Sequence, residues 1–247
     1  MSLGKLIFHN KSSTDFGAWI NYPMVQATTK RNVSLSPVVG VNGSYINDNL
    51  NYTDVTQQIS FFVERPLRYK DWFTWGMDFG DWLTSKDKFV EYEPFYFEPF
   101  NGWHWEAFLS EGPNVTPQNE QIATVNITIS AKPFLISNDS VKYQIVPKNS
   151  VYNWQQYAAL PIFHIVGDGD FTLTVNGKDY QFNDIDEELY VDCERRLIYK
   201  SLNENRNSHA LLYNHEFPKL DPGKNLISLK GNYTKFEYQP RWRRALV

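Results

Sequence analysis

The chain has 247 residues, 42% of them hydrophobic and 21% charged, the composition of a folding globular protein, which excludes a disordered or fibrous one. Its 24 basic and 28 acidic residues leave a net charge of -4, so the counterion-releasing surface of a tight nucleic-acid binder is missing and sequence-specific DNA binding is not expected. Aromatic residues reach 16%, a load that suits strands and sticky interfaces because flat rings pack well on pleated surfaces.

In chain order, Met1-Ser2-Leu3-Gly4-Lys5 has no signal-peptide pattern, and no apolar run reaches the roughly 18 residues of a membrane span. Neither secretion by that route nor membrane insertion is therefore expected. Asn42-Gly43 predicts a hairpin turn. From Pro66 to about Leu83, Leu67, Trp72, Trp75, Phe79 and Trp82 recur at spacings of three to five, which predicts a short helix interrupted near Gly76 and Gly80. Trp103, Trp105, Ala107 and Leu109 line one face of a strand. Val125, Ile127, Ile129 and Ala131, alternating with polar residues, line another.

A domain boundary is placed near Ser137, giving domains 1–137 and 138–247. In the second, Phe171, Leu173 and Val175 alternate with threonines ahead of Asn176-Gly177, a type I′ hairpin signal. Further turn signals at Gly167-Asp168-Gly169, Pro222-Gly223 and Gly231-Asn232 punctuate short strands, as in a β-sandwich. The fold class is all-β with minor α.

Candidate chemistry is sparse, and no cofactor, metal or catalytic residue is assigned. Two Asp-Phe-Gly tripeptides, at Asp15 and Asp78, lack every other kinase element and read as turns. Glu91 and Glu93 share a strand face but make no acid/base pair with a physical reason to differ in pKa. His9, His104, His164, His209 and His215 are scattered, without a nucleophile motif. Asp168 and Asp170 offer two oxygens but no calcium loop. The lone Cys193 has no intrachain partner, consistent with assembly in a reducing cytoplasm, and reads as buried packing. Asn-x-Ser/Thr triplets, as at Asn51 and Asn126, read as polar strand faces.

Two features stand out as candidate binding residues. Adjacent rings at Trp103 and Trp105 have the chemistry to stack on sugars, against the competing reading of core packing. Arg241, Arg243 and Arg244 concentrate positive charge that would line a channel or meet acidic groups of a neighbouring subunit.

Leu6-Ile7-Phe8 with Ser13-Thr14-Asp15-Phe16-Gly17, Val39-Gly40-Val41-Asn42-Gly43-Ser44 before Tyr52-Thr53-Asp54, Asp81-Trp82-Leu83 and Ala131-Lys132-Pro133-Phe134 resemble, in that order, the distal tail protein (Dit) family of siphophages. The resemblance continues through Pro161-Ile162-Phe163-His164-Ile165-Val166-Gly167-Asp168-Gly169-Asp170, Asn176-Gly177, Val191-Asp192-Cys193-Glu194, the stretch from Phe217 to Asn225, and Pro240-Arg241-Trp242-Arg243. It implies an N-terminal, β-sandwich-like ring-forming domain with a short helix, and a C-terminal galectin-like β-sandwich. It further implies a non-enzymatic homohexameric ring at the distal end of a virion tail. Such a ring would bind the tail tube protein, the tail-associated protein and receptor-binding or adhesion proteins. A carbohydrate-binding module of an adhesion device is the alternative.

Overall fold

The computed structural model describes residues 4–84, 90–148, 150–201 and 203–246, which form two compact units: Met1–Leu135 with Ala245–Val247, and Ile136–Arg244. The first unit opens with β1 (Leu6–Phe8), β2 (Lys11–Ser12) and β3 (Ala18–Ile20), followed by β4 (Lys30–Pro37), β5 (Ser44–Thr53) and β6 (Val55–Glu64). Helix α1 (Trp72–Leu83) precedes β7 (Glu93–Phe97), β8 (Trp103–Pro117) and β9 (Ile122–Ser137).

The main sheet of this unit runs β2-β1-β7-β8-β9-β6-β3. The predicted alternation sets its register: Ile59 pairs with Ile127, Phe61 with Val125 and Val63 with Ala123, all six enclosed. A one-residue slip would turn this whole row to solvent. Gln57 also lies on this face, and its amide is satisfied, accepting from the Ala27 N–H at 2.8 Å and donating to the Val25 carbonyl at 3.0 Å.

Helix α1 covers the same core. Asp71 caps it, its Oδ1 accepting from the Thr74 N–H at 2.8 Å. Trp75, Phe79, Trp82 and Leu83 are buried, with the Trp75 and Phe79 rings stacked at 4.5 Å. The two buried indoles of the helix find acceptors: Trp75 donates to the Phe16 carbonyl and Trp82 to the Phe8 carbonyl, both at 2.8 Å. The predicted interruption at Gly76 and Gly80 is absent, and Asp78-Phe79-Gly80 is helical rather than a turn. A glycine costs a helix about 1 kcal/mol, which the burial of four large side chains outweighs. The two glycines face β8: a Cβ at Gly76 would lie 3.6 Å from the Val115 side chain, and one at Gly80 would lie 3.6 Å from Pro113.

Asp15-Phe16-Gly17 is the expected turn, a single 3₁₀ turn ended by Gly17 at φ +67°. The residue type is imposed twice, since a Cβ there would also sit 2.1 Å from the Glu64 carbonyl oxygen.

The second unit contains β10 (Gln144–Ile145), β11 (Val151–Asn153), β12 (Ile162–Gly167), β13 (Gly169–Val175), β14 (Lys178–Ile185) and β15 (Glu188–Asp192). These are followed by β16 (Leu197–Ser201), β17 (Glu204–Asn205), β18 (Ala210–Leu211), β19 (Gly223–Asn225), β20 (Ile227–Lys230) and β21 (Tyr233–Gln239). A six-stranded sheet, β10-β21-β12-β15-β16-β17, and a four-stranded sheet, β18-β14-β13-β20, contribute Phe163, Ile165, Leu189 and Val191 and Phe171, Leu173, Tyr180 and Phe182 to one core. This is a β-sandwich. Asn176 (φ 52°) and Gly177 (φ 77°) make the expected turn between β13 and β14.

The chain passes from the first unit to the second within β9, which continues past Ala131 to Ser137, and returns within β22 (Arg243–Ala245), which pairs with β9. Leu246 then sits in the first unit's core and exchanges hydrogen bonds with Thr29.

Candidate functional site

The exposed pair β4–β5 is a segment of the first unit whose apolar residues are left uncovered, as Phe73 and Met77 are on the outer side of α1. Leu35 pairs with Ile46 and Val33 with Asp48, so Val33, Leu35, Ile46 and Asp48 share one face, while Ser34, Ser36, Tyr45 and Asn47 occupy the other. Leu35 is 65% exposed and Ile46 62%. Val38, Val39 and Val41, in the loop that ends at Gly43 (φ +101°), are exposed as well. The predicted Asn42-Gly43 hairpin therefore exists, with a six-residue connection from 38 to 43.

A two-stranded ribbon is marginal by itself, and this one is secured at its base. Arg31 grips Asp48 through two nitrogens, Nε to Oδ1 at 2.9 Å and Nη2 to Oδ2 at 2.8 Å, which holds the Asp48 carboxyl below its ordinary range. The same guanidinium lies 4.9 Å from the Tyr52 ring centroid, and Tyr52 packs edge-on against Phe134 at 5.1 Å. The result is an anchored, amphipathic ribbon with both edges open and its apolar face uncovered.

The aromatic pair Trp103 and Trp105 is divided by the fold. Trp105 is fully buried between the Phe97 and Phe100 rings and offers no face to a sugar, while Trp103 is half-buried against the same core. Of the two carboxylates weighed for catalysis, Glu93 contacts His9, and Glu91 lies outside the strand in solvent. In the second unit the Asp168 carboxylate accepts from the Glu187 N–H and the Asp170 carboxylate from the Asp184 N–H, so both serve the turn. Cys193 is buried, and that burial pushes its thiol well up, which suits packing.

The basic cluster is also divided. Arg241 has φ 53°, so the segment is not the extended strand that would align it with Arg243. Its side chain is buried within its own unit, ion-paired with Glu194 and 3.9 Å from Asp192. Arg243 is half-buried, and Arg244 is exposed. The acid that Arg241 meets is therefore intramolecular.

Sequence reading missed a charged row on the outward face of the six-stranded sheet. The registers place Glu237 of β21, His164 of β12, Tyr190 of β15 and Tyr199 of β16 side by side. His164 Nδ1 lies 2.8 Å from Glu237 Oε1 and Nε2 lies 2.8 Å from Glu188 Oε2. Burial would raise the Glu237 carboxyl, but hydrogen bonds from Lys235 and His164 outweigh it and hold the group below its ordinary value. Burial and the neighbouring Glu188 push the Tyr190 hydroxyl up to about 12. The two carboxylates lie 24 and 73 residues from His164 in sequence. The only legible signal was His164 alternating outward between Phe163 and Ile165.

No protein-family model matches the chain, and no curated protein matches it. Its structure is similar to the crystal structure of SPP1 Dit (gp 19.1), described as a paradigm of the hub adsorption apparatus in phages infecting Gram-positive hosts. The match has a TM-score of 0.67 at 14% identity, covering 96% of this chain and 97% of that one. Over nearly its whole length, the chain has the fold of a phage distal tail hub protein.

Proposed function

We propose that the chain is a non-enzymatic structural subunit of a phage tail tip, forming a homohexameric ring that joins the tail tube to the host-adhesion apparatus. In this reading residues 1–137 build the ring, and residues 138–247, a galectin-like sandwich, offer a platform to adhesion components. The protein would be assembled in the host cytoplasm and reside at the distal end of the virion tail.

The observation that carries the proposal is the β4–β5 ribbon, whose Val33, Leu35 and Ile46 face solvent in a chain with the fold of a tail hub. An amphipathic hairpin with open edges is suited to a second copy, which would cover the apolar face or continue the ladder. Ring closure would shield that surface in every subunit. In the carbohydrate-binding alternative, the enclosure of Trp105 leaves Trp103 and the galectin-like sandwich to carry the sugar contact.

Light scattering coupled to size exclusion tests the proposal. A mass near six times the 28.9 kDa protomer is expected at high concentration. A mass of one protomer at every concentration, both alone and with the tail tube protein added, would defeat it.

A further inference from the structure

A neutral imidazole has one N–H and one lone pair, so it cannot donate to two ionised carboxylates at once. His164 nevertheless faces Glu237 and Glu188 at 2.8 Å on either side. Both carboxylates have a further donor: Glu237 Oε1 lies 2.8 Å from Lys235 Nζ, and Glu188 Oε2 accepts from the Tyr190 hydroxyl at 3.2 Å. Both bridging bonds are made only when the three groups together hold one proton more than a neutral ring and two carboxylates. The environment supports that extra charge: the Tyr190 ring lies parallel to the imidazole at 3°, with centroids 4.2 Å apart, and Tyr143 meets it edge-on at 5.7 Å.

We infer that His164, Glu188 and Glu237 form a proton-operated clamp joining the adjacent strands β21, β12 and β15. With the proton, the ring bonds to both neighbours. Without it, one ring lone pair faces a carboxylate, and that side of the clamp opens. Glu188 is the side that releases, because its side chain is 36% exposed against 11% for Glu237, and Lys235 continues to neutralise Glu237.

The remaining titratable groups facing the cluster are Tyr143 ahead of β10, Tyr190 and Asp192 of β15, and Tyr199 of β16. Asp192 is turned to Arg241 and to the Glu194 and Arg195 amides.

The sign follows from linkage. The two bridging bonds need the extra proton, so their stabilisation is present while the cluster holds it and is lost once it leaves. Glu237, held below its ordinary value, works in the opposite direction: its contribution is lost only as pH falls through its lowered value.

The test uses the full chain. Nitrogen NMR of the His164 ring is followed from about pH 5 to about pH 9, a range bracketing free imidazole, together with amide exchange in β15 and the thermal midpoint. Both ring nitrogens should carry protons at the acid end. Loss of one at higher pH should coincide with faster exchange in β15 and a midpoint lower by roughly 2–4 °C, the shift that about 1 kcal/mol gives a chain of 150–250 residues. In Glu188→Gln the amide can donate to a neutral ring, so the alkaline loss should disappear. A wild-type ring with one unprotonated nitrogen at the acid end overturns the inference, and this reading does not depend on any variant folding. An alkaline loss in Glu188→Gln equal to that of the wild type overturns it as well.

Discussion

Helix α1 and the β4–β5 hairpin belong to one compact unit and are both amphipathic, yet they meet opposite fates. Trp75, Phe79, Trp82 and Leu83 are enclosed, their rings stacked and their indole N–H groups bonded to backbone carbonyls. Val33, Leu35 and Ile46 share one face of the ribbon with Asp48, but face solvent. The contrast shows that patterning specifies a face and leaves open what covers it. The helix finds its cover in its own chain, and the hairpin's cover in the proposed ring is a second subunit.

The comparison can be broken most severely at the helix. Trp75→Ala removes a fully buried indole and leaves the Phe16 carbonyl without its donor. The expected loss is about 3–5 kcal/mol in denaturant unfolding, and a loss under about 1 kcal/mol would mean that the helix is not part of this core.

Gly17→Ala attacks the same core through the backbone, forcing a side chain into φ +67° and against the Glu64 carbonyl. A destabilisation of roughly 1–3 kcal/mol is expected, measured in the same way, and an unchanged midpoint would show that the turn relaxes freely.

On the hairpin the effects on folding and assembly should separate. The double change Leu35→Ser, Ile46→Ser should move protomer stability by no more than about 0.5 kcal/mol, since both side chains already face water. It should also reduce the six-protomer mass to that of one protomer. Retention of the assembled mass would remove this face from the interface.

The smallest effect is expected from Asp48→Asn, which weakens the Arg31 grip at a largely exposed site. Local chemical shifts of β4 and β5 should change with no measurable movement of the unfolding midpoint. A global shift would show that the ribbon folds cooperatively with the sheet.

Much of the fold was legible because its cause is local. Period-two alternation located the buried rows of Ile127 and Ile129 and of Phe171 and Leu173, and Asn-Gly chemistry located both hairpins. Propensity misread only the helix's continuity, since it counts the cost of Gly76 and Gly80 but not the compensating burial of Trp75 and Phe79. Composition misread Arg241, whose partner Glu194 lies 47 residues earlier in the chain and reaches it only after the sandwich forms.

The amino-acid sequence by itself determined the all-β class, the faces of the strands, the positions of the tight turns and the collinear resemblance to a tail hub. The first three follow from backbone sterics and side-chain periodicity acting over a few residues, and the resemblance rests on the order of the matched motifs. Tertiary structure alone decided that Trp105 is core, that the β4–β5 stripe stands uncovered, and that His164 is held between two carboxylates. Burial and charge pairing depend on which distant strands become neighbours, and that is settled only when the sheets assemble.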